Sequence, residues 1–426
     1  MDSDQLMTLR ETIQRYIGGG WGKDIPDDQH PLAAWVIRGT DFGGARLGDV
    51  STCPLRYHKE SNLRSRRLQP SDIVFEVSGG SKDQPVGRSL LVTDSLLGRF
   101  AGDVICASFC KLVRPDANTI DASYLFWLMQ AMYDDRSIVQ FQVQSTGISN
   151  FRFEDFLDNL VVDVPPLATQ RRIATVLASY DELIENNTRR IQILEEMAQA
   201  IYREWFVEFR YPGHEDVPLV DSDLGPIPEG WEWQPLFDVA VPTFGFAFKS
   251  KQFNTEGDGV PVIRIRDLPK NGSQTFTRES AATRYEVDDG DLLVGMDGDF
   301  HMCMWSAGPA YLNQRVVRFR PQDDSLSRYE IFLGLKRPIQ ELNQSIVGTT
   351  VAHLGKRHLE LLRLAVPTEG VRNQARAVFD PLFDLVIGLR KANRNLRTTR
   401  DLLLPRLISG EIDVSDLDID AGDAAA

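Results

Sequence analysis

Two segments of the chain are rich in arginine and lysine, whose side chains can bind phosphate oxygens and the edges of guanine. Residues 38–67 contain seven basic residues against three acidic ones, and residues 249–284 contain seven against four. The whole chain has a formal net charge of −14, but six acids and no base lie in residues 411–426, which we expect to be an acidic tail. The distribution of charge therefore permits binding to nucleic acid, although the sum argues against it.

No motif indicates that the chain is an enzyme by itself. Gly18–Lys23 is rich in glycine, but it lacks the Lys-Ser/Thr ending of a phosphate-binding loop and a preceding strand. Asp163–Leu167 resembles the Asp-Pro-Pro motif of amino-methyltransferases, yet it has no aromatic residue to stack on a base, and Pro165-Pro166 is typical of a stop before a helix. No Ser-His-Asp order or metal-ligand spacing stands out. We expect the four cysteines to be reduced thiols.

The chain repeats itself in order over most of its length. The matches are 18–23 with 244–249 and 36–42 with 262–268 at an offset of 226, 71–74 with 290–293 at 219, 164–165 with 366–367 at 202, and Gln170 with Gln374 at 204. The repeat unit is far longer than the roughly 20–50 residues of a solenoid repeat. The sequence therefore predicts two tandem copies of one large module.

Each copy is predicted to open with a β-rich part. Val262–Arg266 alternates apolar and basic residues, which predicts a half-buried strand with Arg264 and Arg266 on one face. Asp291–Val294 predicts a strand that enters a Gly/Asp turn. Residues 124–129 and 331–335 are expected to be short buried helices.

Each copy is predicted to close with a longer helix. Ser179–Glu182 has the form of a capping box, and Asp380-Pro381 has the form of a second helix start, which Pro405 would end. Apolar residues at heptad spacing follow each start, with Asn187 and Asn393 near mid-seam, which favours an antiparallel coiled-coil pair of roughly 35–45 Å. The seam and partner-interface candidates are Ile184, Asn187, Ile191, Leu194, Leu389, Asn393 and Leu396.

The predicted organisation has six regions. They are a first globular domain (1–165), a first helical spacer (166–212), a linker (213–230), a second globular domain (231–365), a second helical spacer (366–410) and an acidic tail (411–426). The fold class is α+β. No run of about 18 apolar residues or secretory signal stands out, so we expect a cytoplasmic protein without a membrane span.

Several segments resemble the specificity subunits of type I restriction–modification systems. Pro165–Leu177 resembles the family's helix entry, and Leu402–Ile412 resembles its ending. Gly230–Leu236, Gly290–Leu293 and Leu312–Val316 are similar to its target recognition domains. The second copy departs from the pattern, with Pro367-Thr368-Glu369 in place of the proline pair.

This resemblance implies that the chain is a non-catalytic subunit that chooses a DNA sequence. Each globular domain would be a target recognition domain for one half of a bipartite, asymmetric site in double-stranded DNA. Methylation subunits, expected to be two, would pack on the helices and bind AdoMet, and restriction subunits would use ATP and magnesium. No cofactor is expected in this chain.

Residue types and their places in the two copies suggest where DNA contacts would lie. Arginines can read guanine, and glycines allow loops to approach bases closely. The candidate residues are Arg38, Arg64, Arg66, Arg67, Lys249, Arg264, Arg266, Arg284, Gly298 and His301.

Three other interpretations stay open on the sequence. The chain could be a self-contained modification enzyme with divergent motifs, which predicts AdoMet binding by the isolated chain. It could be a duplicated coiled-coil adaptor for proteins, which predicts no salt-dependent affinity for DNA. It could also be an orphan specificity subunit without partners.

Overall fold

The computed structural model describes residues 5–80, 84–145, 148–323, 325–345, 352–414 and 417. The chain divides into two compact units, Met1–Asn186 with Asn395–Ala426, and Asn187–Arg394. The division falls inside two long helices, so each helix contributes residues to both units. From the sequence, we expected the helices to form regions separate from the globular domains.

The first unit is built mainly of short strands. Its strands are β1 (Gln5–Thr8), β2 (Ile13–Gly18), β3 (Leu32–Ile37), β4 (Leu55–His58), β5 (Ile73–Glu76), β6 (Ser78–Gly79), β7 (Ser89–Leu91), β8 (Val104–Cys106), β9 (Cys110–Pro115), β10 (Gln142–Ser145), β11 (Ile148–Phe151) and β12 (Val161–Val164). Its helices are α1 (Phe42–Ala45), α2 (Glu60–Arg66), α3 (Asp94–Leu97), α4 (Ala122–Asp134), α5 (Phe153–Asn159) and the first part of α6 (Leu167–Tyr202).

The second unit has a similar inventory. Its strands are β13 (Leu219–Val220), β14 (Ile227–Pro228), β15 (Glu232–Pro235), β16 (Ala240–Phe244), β17 (Phe253–Asn254), β18 (Val260–Ile263), β19 (Phe276–Thr277), β20 (Glu286–Val287), β21 (Leu292–Gly295), β22 (Met302–Met304), β23 (Ala310–Leu312), β24 (Val316–Pro321) and β25 (Arg363–Val366). Its helices are α7 (Leu236–Val239), α8 (Arg328–Ser345), α9 (Lys356–Glu360) and most of α10 (Glu369–Ile408).

The two units share one strand topology. Each contains a four-stranded antiparallel sheet, in the order β2-β9-β5-β7 in the first unit and β16-β24-β21-β22 in the second. Each also has one parallel pair, β3 with β8 and β18 with β23. An antiparallel pair closes each module before its long helix, β1 with β12 and β15 with β25. The fold is therefore α+β with two tandem copies of one module.

The repeated residues form the same carboxylate–arginine ion pair in both copies. Asp72 pairs with Arg114 through two hydrogen bonds of 2.7 and 2.8 Å, and Asp291 pairs with Arg320 through two of 2.7 Å. Each carboxylate also accepts a backbone N–H from three residues earlier. Because a buried carboxylate needs such partners, each pair stabilises the junction of the two central strands of its four-stranded sheet.

Glycine is required at one repeated position. A Cβ at Gly19 would lie 2.1 Å from the carbonyl oxygen of Ala107, and one at Gly245 would lie 1.9 Å from that of Asn313. Neither backbone can pass so close to its neighbour with a side chain present. The glycine-rich segment therefore serves close packing, and a strand (β2) does precede it, contrary to our expectation.

The predicted helix starts and end were wrong. Helix α6 begins at Leu167, directly after the proline pair, and Ser179 lies inside it with its hydroxyl donating to the Val176 carbonyl. Helix α10 runs through both Pro381 and Pro405 to Ile408. Burial of neighbours such as Phe379 and Phe383 offsets the lost hydrogen bonds. At 36 and 40 residues, the helices are about 54 and 60 Å long, longer than predicted.

The helices pair antiparallel in each unit. In the first unit, Ile173 and Leu177 share a core with Leu404 and Leu407 of α10. In the second, the side-chain amide of Asn187 donates to that of Asn393 over 2.9 Å. Residue numbers therefore increase along α6 in the direction in which they decrease along α10.

The structure adds three details to the expected organisation. Gln170 is buried and accepts the Asp121 N–H, whereas Gln374 is exposed, so the two are not equivalent in environment. The linker 213–230 folds as the hairpin β13–β14, with Ile227 in the core of the second unit. The start of the acidic tail is also packed, since Val414 is buried in the first unit; residues 415–416 and 418–426 lie outside the described residues.

Candidate nucleic-acid interface

Loops gather at one edge of each module because its two parallel strands end there. The Ala107 N–H donates to the Ile37 carbonyl over 2.9 Å, and the Asn313 N–H donates to the Ile263 carbonyl over 3.3 Å, so the segments after the parallel strands lie together. We call this the loop edge. It comprises residues 18–23, 38–41, 77–79, 107–109 and 149–151 in the first unit, and 244–249, 264–267, 296–301, 313–315 and 352–354 in the second.

Arg38 and Arg264 occupy equivalent turns and are held within the chain. Each precedes a 3-10 turn, and each binds the carboxylate three residues later, Asp41 at 2.8–2.9 Å and Asp267 at 3.3 Å. The predicted strand ends at Ile263, so Arg264 and Arg266 do not share a strand face. The carboxylates neutralise the two arginines and shape the turns, since they also accept the arginine backbone N–H.

Arg64, Arg66 and Arg67 come from the end of α2 and point to different partners. Arg66 donates to the Gly18 carbonyl at 2.8 Å, and Arg67 pairs with Asp103 at 2.8 Å. Arg64 is exposed, and no side-chain partner of it is found in the described part of the chain. Arg64 and Arg67 line a shallow groove with Arg15 and Arg114, and these four arginines give the first unit a basic surface.

In the second unit, one candidate cation, Arg284, packs on an aromatic ring, and two others, Lys249 and Arg266, are exposed. Arg284 stacks on the Tyr285 ring at 4.7 Å, and that ring contacts Phe246 at 5.3 Å. Lys249 follows the cluster and is exposed; its backbone N–H donates to Glu279. Arg266 is exposed, with no partner among the residues that the structure describes. Aromatic faces flanked by cations suit stacking on bases and binding to phosphate.

Gly298 and His301 lie in the loop that follows β21. Gly298 has φ +71°, and its N–H donates to the Ala352 carbonyl over 3.0 Å. The His301 carbonyl accepts the Gly295 N–H over 2.8 Å, while its ring is exposed beside Asp299. The structure thus brings Gly298 and His301 to the same loop edge as Arg264.

Sequence reasoning missed several side chains at the loop edges. Trp21 is 40% exposed, and its ring is covered by the Arg56 guanidinium at 4.6 Å. Phe109 is 61% exposed, which is unusual for phenylalanine. Asp297 binds His353 at 2.5 Å and Arg315 at 3.3 Å. Arg315 stands in the segment 312–316 that carried the family resemblance, so that signal was available.

The helix candidates lie along the seam. Ile184, Leu389 and Asn393 are buried, while Asn187, Ile191, Leu194 and Leu396 are half-buried. The partner of Asn187 is Asn393, and Asn393 also donates to Thr188 at 3.1 Å.

The described residues hold no group of side chains arranged to bind a metal ion. All four cysteines are buried and free. Burial raises the pKa of Cys106 and of Cys303 to about 12, so both thiols are protonated at neutral pH and are poor nucleophiles. Among the described helices, none has the length and apolar character to cross a membrane.

The chain is similar to known specificity subunits. It is 33% identical over 196 residues to that of the EcoBI enzyme of Escherichia coli, covering 45% of this chain and 41% of that protein. It is 27% identical to the MjaIX subunit of Methanocaldococcus jannaschii, covering 61% and 62%. The chain therefore spans less than two thirds of these two relatives. It is 21% identical to the HindI subunit of Haemophilus influenzae, covering 86% of this chain and 93% of that protein.

A solved structure and a family model agree with these relatives. The crystal structure of a type I restriction–modification S subunit from M. genitalium matches with a TM-score of 0.56 at 14% identity, covering 95% of this chain and 96% of that one, which shows a shared fold. The model of the type I restriction modification DNA specificity domain matches residues 72–196 and 228–395. These ranges fall in both copies of the module and together cover more than half of the chain, which therefore belongs to the specificity subunits of type I restriction–modification systems.

Proposed function

We propose that the chain reads two separate half-sites of one asymmetric DNA sequence, one with each loop edge. One observation carries this proposal: the same strand framework presents different side chains at the same edge in the two units. The first unit offers Trp21, Phe109 and uncharged polar residues, whereas the second offers Arg315, His301 and His353. Loops that differ on one framework would recognise different base sequences.

The chain would do no chemistry itself and would depend on partners. Methylation subunits, two of them, would bind AdoMet and methylate adenine, and restriction subunits would use ATP and magnesium to cleave. The long helices are the surface that we assign to the methylation subunits. Apolar side chains remain exposed on them, including Leu183, Ile193 and Met197 of α6 and Leu385 and Leu402 of α10. Exposed apolar groups of this kind favour protein partners.

Methylation mapping tests the proposal. DNA would be compared from cells that express this chain with its methylation subunit and from cells that express that subunit alone. A new methylated motif of two short half-sites at fixed spacing is the expected result. Copurification of the subunits without new methylation would refute sequence reading and would favour a protein adaptor instead.

Salt dependence provides a second readout of the same proposal. The affinity of the assembled complex for DNA with the motif should fall steeply between low and moderate salt, because phosphate contacts release counterions. DNA without the motif should bind more weakly at every salt concentration.

A further inference from the structure

Two backbone hydrogen bonds join three segments at each loop edge in the same way. In the second unit, the Met296 N–H donates to the Arg315 carbonyl over 3.0 Å, and the Leu354 N–H donates to the Met296 carbonyl over 2.7 Å. In the first unit, the Val77 N–H donates to the Phe109 carbonyl, and the Phe151 N–H donates to the Val77 carbonyl, both over 2.9 Å. The two arrangements are therefore equivalent, residue by residue.

This equivalence pairs three positions of the first unit with three of the second. Ser78 corresponds to Asp297, Phe109 to Arg315, and Asn150 to His353; we call each set a triplet. The first and third members of each triplet also interact alike, because Ser78 donates to the Asn150 side chain at 2.8 Å and Asp297 binds His353 at 2.5 Å. A glycine with positive φ follows in both units, Gly79 at +128° and Gly298 at +71°.

The backbone of the triplets is thus the same while the side-chain chemistry is different. The three positions change from hydroxyl to carboxylate, from phenyl to guanidinium and from amide to imidazole. None of the six side chains is buried in its unit, apart from partial cover of Ser78 and Asp297. A fixed platform with exchangeable, accessible side chains is what a module needs to change its target without changing its fold.

In the second triplet, Asp297 positions two donors toward solvent. Its side chain is 27% exposed, against 55% for Arg315 and 47% for His353. It binds Nε of Arg315, and no described residue accepts from the two terminal nitrogens of that guanidinium. One N–H from each of these two nitrogens can donate to O6 and N7 of guanine. The contact with Nδ1 of His353 directs Nε2 outward, where it accepts or donates according to protonation.

The first triplet has no charge and offers different contacts. Phe109 is 61% exposed and can pack on the methyl group of thymine, and the Asn150 amide can pair with the N6/N7 edge of adenine. These contacts favour an A·T pair where the second triplet favours a G·C pair.

We propose that Ser78, Phe109 and Asn150 determine one base-pair choice in the half-site of the first unit, and that Asp297, Arg315 and His353 determine the equivalent choice in that of the second. Arg315 reads a guanine there, and Asp297 is a positioning residue for it. This inference rests on the proposed function, since it names the residues that perform the reading.

Methylation mapping of variants in the complex with the methylation subunit tests this inference. Arg315→Ala should relax one G·C position of one half-site by roughly 5- to 150-fold, the equivalent of about 1–3 kcal/mol, and leave the other half-site unchanged. Arg315→Lys keeps the charge but lacks the paired donors, so it should relax the same position. Asp297→Asn should weaken the preference for G·C at that position, and it should lower the total level of methylation less than Arg315→Ala does.

Transfer of the second triplet into the first unit is the stronger test. The triple variant Ser78→Asp, Phe109→Arg, Asn150→His should change one position of the other half-site from A·T toward G·C. Arg337→Ala, on the exposed surface of α8, is the matched control and should leave the motif unchanged. Copurification and urea unfolding establish that each variant is folded.

The outcomes separate this inference from the proposed function. A wild-type complex that methylates a split motif upholds the function. If Arg315→Ala and Arg315→Lys then keep that motif at wild-type selectivity, the assignment of the triplets is wrong. If the wild-type complex produces no motif, the proposed function fails, and the triplet assignment fails with it.

Discussion

The two units differ most where they are exposed and least where backbone approaches backbone. Gly19 and Gly245 make the same close contact with a neighbouring backbone. Asp72–Arg114 and Asp291–Arg320 form the same ion pair with a buried carboxylate. At the loop edges most side chains differ, although Lys23, Arg38 and Asp41 return as Lys249, Arg264 and Asp267. Framework residues are restricted because a clash or an unpaired buried charge costs more free energy than a surface change. The two copies have therefore diverged mainly at the loop edges, the surface that we propose contacts DNA.

The interiors also differ, in the charges that they enclose. Following the offset between Phe109 and Arg315, Glu330 stands where the first unit has Tyr124, and Arg318 stands where it has Leu112. Glu330 is 1% exposed and Arg318 is 4% exposed. Burial lowers the pKa of Arg318 and raises the pKa of Glu330 to about 7. The second unit should therefore respond more strongly to pH and to loss of a charge.

The largest expected effect tests the shared framework. Gly245→Ala and Gly19→Ala should each lower the free energy of unfolding by about 3 kcal/mol or more, because the atoms in the way belong to the backbone and cannot rotate aside. Urea denaturation measures the change. Gly18→Ala, one residue away with no atom near its Cβ position, is the control. If both variants keep the wild-type urea midpoint, that result would contradict the steric clash expected at these two positions.

A pH titration should distinguish the two interiors. Glu330 has a folded-state pKa of about 7, above its ordinary value of 4.5, so the folded chain binds more protons and loses stability as pH rises. The wild-type free energy of unfolding should fall by about 3 kcal/mol from this group between pH 4.5 and 8. Glu330→Gln should remove that fall while keeping the contact with the Ser327 N–H at 2.7 Å. Equal pH slopes for the two proteins, measured by urea denaturation, would contradict the effect of burial.

The buried carboxylates should show a smaller and unequal effect. Asp291→Ala leaves the buried Arg318 without its carboxylate and leaves Arg320 with only its longer contact to Asp288, whereas Asp72→Ala affects Arg114 alone. We expect the free energy of unfolding to fall by about 3 kcal/mol for Asp291→Ala and by about 2 kcal/mol for Asp72→Ala. Both losses are moderate because Arg320 and Arg114 are partly exposed to water. Urea midpoints again provide the measurement. Asp103→Ala, which breaks the exposed pair with Arg67, should cost less than about 1 kcal/mol. A larger loss for Asp72→Ala than for Asp291→Ala would reverse the proposed difference between the interiors.

Local residue patterns predicted the repeat, its strands and the existence of the long helices. Asp291–Val294 was correctly read as a strand entering a turn, because alternation and turn residues act over a few positions. Local patterns failed where distant contacts decide. Ser179 and Asp380 look like helix starts, yet both lie inside helices that are stabilised by packing of one face against a core.

The candidate site shows the same division. The sequence identified basic residues, but it could not tell which ones are engaged within the chain, as Arg38 is in an ion pair with Asp41 and Arg66 is in a hydrogen bond to the Gly18 carbonyl. It also gave no reason to connect Asp297 with His353, which are 56 positions apart.

The sequence by itself determined that one module is present twice, because the order of repeated residues survives even when each match is weak. It also determined that each copy carries a basic segment at a comparable place, since that can be counted along the chain. Only the tertiary structure decided which side chains share a surface. The hydrogen bonds that align Ser78 with Asp297 and Phe109 with Arg315 join segments far apart in the chain, and no local pattern encodes that distance.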